Sequence, residues 1–96
     1  MPFEKDCDKF KPGMIVQHFK RTMLSEQELR KTPTMYLYEI IGVATHTETC
    51  QSLMIYKSLY GVPAIHARPL EMFMSEVDHE KYPNVTQKYR FQEVSL

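Results

Sequence analysis

Apolar residues fall along this chain in short runs separated by turn-forming residues, and no run keeps a long helical period. Pro12-Gly13 is a turn signal, and the apolar stretch Met14 to Phe19 behind it reads as a first strand. In "LSEQELRKTP", Ser25 and Glu28 have the spacing of a capping box, in which each side chain satisfies a backbone donor of the first helical turn. Pro33 disfavours helical geometry at Thr32, so this is a short helical insertion near 25–32. "MYLYEIIGVA", Met35 to Ala44, is rich in aromatic and β-branched residues and predicts a central strand, with a bulge or bend at Gly42.

"HTETCQ" then connects to a returning hairpin strand, Ser52 to Gly61. "VPAIHARP" supplies another strand to about Arg68, where Pro69 ends the pairing. "LEMFMSEV" predicts a short helix or 3₁₀ turn followed by extended chain at Ser75 to Val77. Its Leu70, Met72, Phe73 and Met74 read as cover for the core. Asp78 caps a single turn that Pro83 closes, and "KYRFQEV" gives a last, edge strand.

The pattern is mainly β with short helical turns. About five short strands in so small a chain predict an SH3-like barrel or a strongly curled antiparallel sheet, and an open sheet with one packed helix is the alternative. The 96 residues hold one domain: a polar N-terminal segment over 1–11, then a single β-rich domain over 12–96. A domain of this size hides roughly 60–70% of the surface of its unfolded chain, which leaves little room for a deep enclosed site.

Charge narrows the choice of partner. Lys plus Arg and Asp plus Glu number twelve each, and the basics are scattered, so nucleic acid is not favoured. Cys7 and Cys50 form no spaced metal motif and read as reduced thiols. The start "MPFEKDCDKF" lacks the apolar core of a secretory signal, and no run approaches the roughly 20 residues of a membrane helix. The expectation is a cytoplasmic protein without a membrane partner. Glycine totals only three, and P-loop, dinucleotide and serine-hydrolase signatures are absent.

Four pieces, "HFK" (18–20), "GVATHTET" (42–49), "MIYKSLYG" (54–61) and "HARPLEMF" (66–73), occur in this order. Together they resemble a family of short, mostly bacterial domains of unknown function. Its pattern runs H-[FY]-K, G-x-A-x-H-[ST]-E-T, V-[VI]-Y-x-x-L-Y-G, then aromatic-x-R-P-L-x-M-F. The likeness extends over most of 12–92. The chain departs from it by inserting residues 21–35, by carrying His66 where the family usually has Trp or Tyr, and by Cys50 where a Gly or polar residue is common. The resemblance implies a shared fold and surface, and no particular chemistry.

Among polar candidates, His46 and Glu48 stand two apart and share a face if the chain is extended there. They form a proton-holding or metal-ligating pair, or else fix a hairpin turn with Thr45, Thr47 and Thr49; the missing P-C-x-x-C and H-E-x-x-H contexts favour the turn. Arg68 shares a strand face with His66 and is placed either to clamp a carboxylate or phosphate or to form an internal salt bridge with Glu48 or Glu39. Tyr56 and Tyr60 are stacking walls or core rings, with core favoured. His18, amid apolar neighbours, reads as a structural histidine.

The function expected is a binding module for an anionic small molecule or peptide, with His46, Glu48, Tyr56, Tyr60, His66 and Arg68 on the binding surface. No cofactor and no metal are assigned. Two alternatives stay open: metal-assisted hydrolysis through His18, His46, Glu48 and His66, and a structural domain that pairs its sheet edge with a second copy.

Overall fold

The computed structural model describes residues 9–95. Five strands form one antiparallel sheet: β1 (Ile15–His18), β2 (Leu37–Thr45), β3 (Ser52–Ser58), β4 (Ile65–Pro69) and β5 (Phe91–Glu93), in the order β4-β3-β2-β1-β5. A 3₁₀ turn (Phe19–Met23) and helix α1 (Glu26–Lys31) lie between β1 and β2, and helix α2 (Leu70–Phe73) follows β4. The segment expected to be a head over 1–11 is described only from residue 9, and Cys7 lies outside the described residues.

Local signals account for much of this. The Ser25 hydroxyl accepts the Glu28 N–H at 3.1 Å, and the Glu28 carboxylate accepts the Ser25 N–H at 2.9 Å. That returned backbone bond, followed by the one from the Ser25 side chain, holds the Glu28 carboxyl below its usual value. The β2–β3 register shifts between Ile40 and Gly42, so the predicted bulge is present. At residue 78 the Asp carboxylate accepts the N–H groups of Glu80 and Lys81 and starts the turn expected there.

The sheet is open, with β4 and β5 as its edges, so the closed SH3-like barrel expected as one form of the fold is not what the strands make. They curl strongly instead. In a flat sheet β3 and β5, three places apart in this order, would be about 14 Å apart at roughly 4.8 Å per step. Yet the rings of Tyr56 and Phe91 are 5.6 Å apart, and the Arg68 guanidinium on β4 lies 5.7 Å from the Phe91 ring. Aromatic rings fill the concave face. Phe73 from α2 stacks on Phe91 with centroids 4.0 Å apart and planes 8° apart, standing between the two edges.

Two apolar clusters result. The main one gathers Val16, Tyr38, Ile40, Met54, Tyr56, Leu70, Phe73 and Phe91 on the concave face. It also takes Phe10, 3% exposed, from the end of the stretch expected to be polar. Of the predicted cover residues, Leu70 and Phe73 are buried and Met74 packs on the cluster, while Met72 is exposed. The smaller cluster holds Phe19, Val77 and Val85, with Tyr82 against it. Among the described residues no helix is long and apolar enough to cross a membrane.

Candidate functional site

The sites expected from the sequence separate into three places. His46 and Glu48 belong to the β2–β3 connection. The Cys50 N–H donates to the His46 carbonyl at 2.7 Å, the His46 N–H to the Gln51 carbonyl at 2.8 Å, and Cys50 takes a left-handed φ of 62°. The His46 ring closes the loop from inside, its Nδ1 accepting the N–H groups of Glu48 and Thr49 at 3.1 and 3.3 Å. The Thr49 hydroxyl accepts the Gln51 N–H at 3.2 Å. This geometry is that of a side-chain-supported turn.

Tyr56, Tyr60 and His66 surround Tyr38. Tyr56 is 5% exposed and sits among Tyr38, Phe73 and Phe91, so its ring is core. Tyr60 is half-buried, and its hydroxyl is 2.7 Å from that of Tyr38. Burial first, and that hydroxyl pair second, raise the Tyr38 phenol far above its usual value. The exposed His66 ring lies 5.4 Å from Tyr56, as expected for residues paired across β3 and β4.

Arg68 opens onto a third place, a hollow of about 310 Å³ on the side of β1 and the segment before β5. Backbone bonds assemble it. The Phe19 N–H donates to the Arg90 carbonyl at 2.9 Å, and the Arg90 N–H donates to the Ser75 carbonyl at 3.0 Å. These two bonds fix the 3₁₀ turn, the 75–77 segment and the chain entering β5 against one another. The hollow thereby collects Lys20, Arg68, Lys81 and Arg90 around His18, with the Phe19 and Tyr82 rings as its apolar wall and Asp78 as its acidic member. The Asp78 carboxylate is already committed to the N–H groups of Glu80 and Lys81.

His18 is the floor. Its ring lies 4.4 Å from Phe19 and 5.0 Å from Phe91, and its Nδ1 accepts the Lys20 N–H at 3.2 Å. Burial, followed by the charges of Arg68, Lys20 and Arg90, pushes its pKa down to about 4. At neutral pH the ring is therefore uncharged, with its proton on Nε2 because Nδ1 is an acceptor.

The cations themselves are little used inside the protein. Among the described residues the one ion pair is Arg30–Glu26, on the exposed face of α1, so neither Glu48 nor Glu39 pairs with Arg68. Arg90 Nε is the one buried side-chain polar atom there without a hydrogen-bond partner. Likewise, no three His, Cys, Asp or Glu side chains among the described residues come together as a metal site.

Lys20, Lys81 and Arg90 escaped the sequence reading. Each follows or precedes a ring that anchors the local chain, Phe19, Tyr82 and Phe91 respectively. A basic residue beside such an anchor is the signal that would have picked them out.

The family model described as "Protein of unknown function (DUF1653)" matches residues 14–93, and the chain belongs to that family. No curated protein and no solved structure matches it.

Proposed function

We propose that this member of the family is a small binding module for an anionic ligand, and that the ligand seats in the hollow floored by His18. One observation carries the reading. In a chain with no net charge, four cationic side chains line one hollow with a single carboxylate, and none of the four is ion-paired among the described residues. Arg68 is the clamp, since its planar fork suits two oxygens of a carboxylate or phosphate. His66 shares β4 with Arg68 and is backed by the core ring of Tyr56, Tyr60 packs on Tyr38, and His46 and Glu48 stand outside the proposed site. A compact hollow favours one anionic headgroup over an extended acidic peptide. The setting we infer is cytoplasmic, on the evidence of the sequence.

No observation favours metal-assisted hydrolysis, because its four candidate ligands are spread between the hairpin turn, β1 and β4. Self-association has one observation in its favour: β4 is a sheet edge whose first residue, Ile65, is 69% exposed, with Val62 in the connection before it 90% exposed. Molar mass by light scattering measures it.

The direct test of the anion site is Arg68→Ala, titrated with pyrophosphate by calorimetry. Affinity is expected to fall at least about tenfold, as when one partner of a desolvated charge pair is truncated. The far-UV circular dichroism stays that of the parent. Unfolding of the variant would instead make Arg68 a structural corner and contradict the proposal.

A further inference from the structure

The basic hollow has a neighbour. A second one, of about 290 Å³, shares Lys81 and Tyr82 with it and continues over Met23, Pro83, Asn84 and Val85. The two differ in character. The first concentrates positive charge, whereas the second is walled mainly by apolar groups, including Met23, a methionine that is 55% exposed. Tyr82 is the ridge between them, half-buried on Phe19, Val77 and Val85, with the Lys81 ammonium 5.5 Å from its ring centroid. Asn84 is exposed on this hollow, and its amide can both donate and accept.

Resting on the anion-binding reading above, we propose that the ligand is a small phosphomonoester with a planar ring body: the phosphate occupies the basic hollow, and the ring crosses Tyr82 into the apolar one. A phosphomonoester offers three acceptor oxygens and close to two negative charges at neutral pH. That matches two guanidinium forks and two ammonium groups better than a monocarboxylate does. His18, whose Nδ1 accepts the Lys20 N–H, lines the same hollow. Across the ridge, an aromatic face and a thioether suit a flat ring, and the Asn84 amide suits a polar ring edge. Each hollow lies near the lower limit of small-ligand sites, roughly 300 Å³, so the pair together has the size for a molecule with a head and a body.

The test is a calorimetric series at fixed ionic strength with inorganic phosphate, adenosine 5′-monophosphate, adenosine and a short single-stranded oligonucleotide. The nucleotide is expected to bind at least about tenfold more tightly than either phosphate or adenosine alone, as for a ligand that adds one buried apolar group. Met23→Ser removes an exposed side chain outside both clusters. It should lower nucleotide affinity roughly three- to tenfold while leaving phosphate affinity unchanged. Equal affinities for phosphate and nucleotide, or no response to Met23→Ser, would overturn the two-part site and leave the anion site standing. If neither phosphate nor nucleotide binds, both readings fall. An oligonucleotide that binds more than about tenfold tighter than the mononucleotide would overturn the small ligand in favour of a nucleic acid.

Discussion

At His46 the ring Nδ1 accepts the N–H groups of Glu48 and Thr49, and at His18 it accepts the N–H of Lys20 two residues on. Both histidines therefore tie down the backbone just after them through Nδ1. Their surroundings differ. Thr45 and residues 47–51 are exposed, so His46 works in a solvated turn. His18 lies between Phe19 and Phe91, beside Arg68, Arg90 and Lys20, and its pKa is pushed down to about 4 by burial and then by those charges. A histidine that shapes a turn becomes part of a candidate site only where distant segments bring charge to it.

The largest expected effect removes the ring that supports His18 on one side of this comparison. Phe91→Ala deletes the ring that stacks on Phe73 and lies under both His18 and Arg68. It should cost about 3–5 kcal/mol, read as a lower urea midpoint. No substitution in the His46 turn approaches that, since the turn buries no ring.

Acid acts on His18 next. The folded pKa of His18 lies below the ordinary value of 6.5, so between pH 6.5 and about 4 the unfolded chain binds the proton first. The stability that neutral His18 contributes is complete above pH 6.5 and is lost as pH falls through that window. Denaturation midpoints across that range should decline less in His18→Gln than in the parent. Equal declines would detach His18 from the cationic cluster.

His46→Ala comes third. Two backbone donors in the turn lose their acceptor but regain water, and the cost should be about 1 kcal/mol, in the range of a lost cap. Anion affinity should not change, and a change would reunite the two places that the fold keeps apart. Smallest is Cys50→Gly. A non-glycine residue at φ 62° carries a steric cost that glycine avoids, offset in part by the entropy glycine loses on folding. A gain of about 0.5–1 kcal/mol is expected, measurable by thermal melting.

The same contrast explains what the sequence disclosed. Ser25 with Glu28, the bulge at Gly42, the cap at Asp78 and the turn at His46 are interactions within a few residues, and spacing alone reveals them. Arg68 was legible as a strand-end candidate because a strand alternates its faces and Pro69 marks the strand's end. The gathering of Lys20, Lys81 and Arg90 around it was not, because it depends on how far the sheet curls and on the backbone bonds among Phe19, Arg90 and Ser75. Phe10 was missed for a related reason: a single ring in a charged stretch has no period, and only Phe73, 5.3 Å away, makes it core. Nor does a count of strands say whether the sheet closes.

We propose that the charged hollow, and not the His-Thr-Glu-Thr turn, is where this protein meets an anion. The most direct test is an amide-shift titration of the isotope-labelled protein with inorganic phosphate at constant ionic strength. Shifts should cluster at 18–20, 68, 81–82 and 90 and saturate, while 46–50 stay still. A spectrum that remains unchanged, or one whose shifts centre on 46–50, would contradict the account.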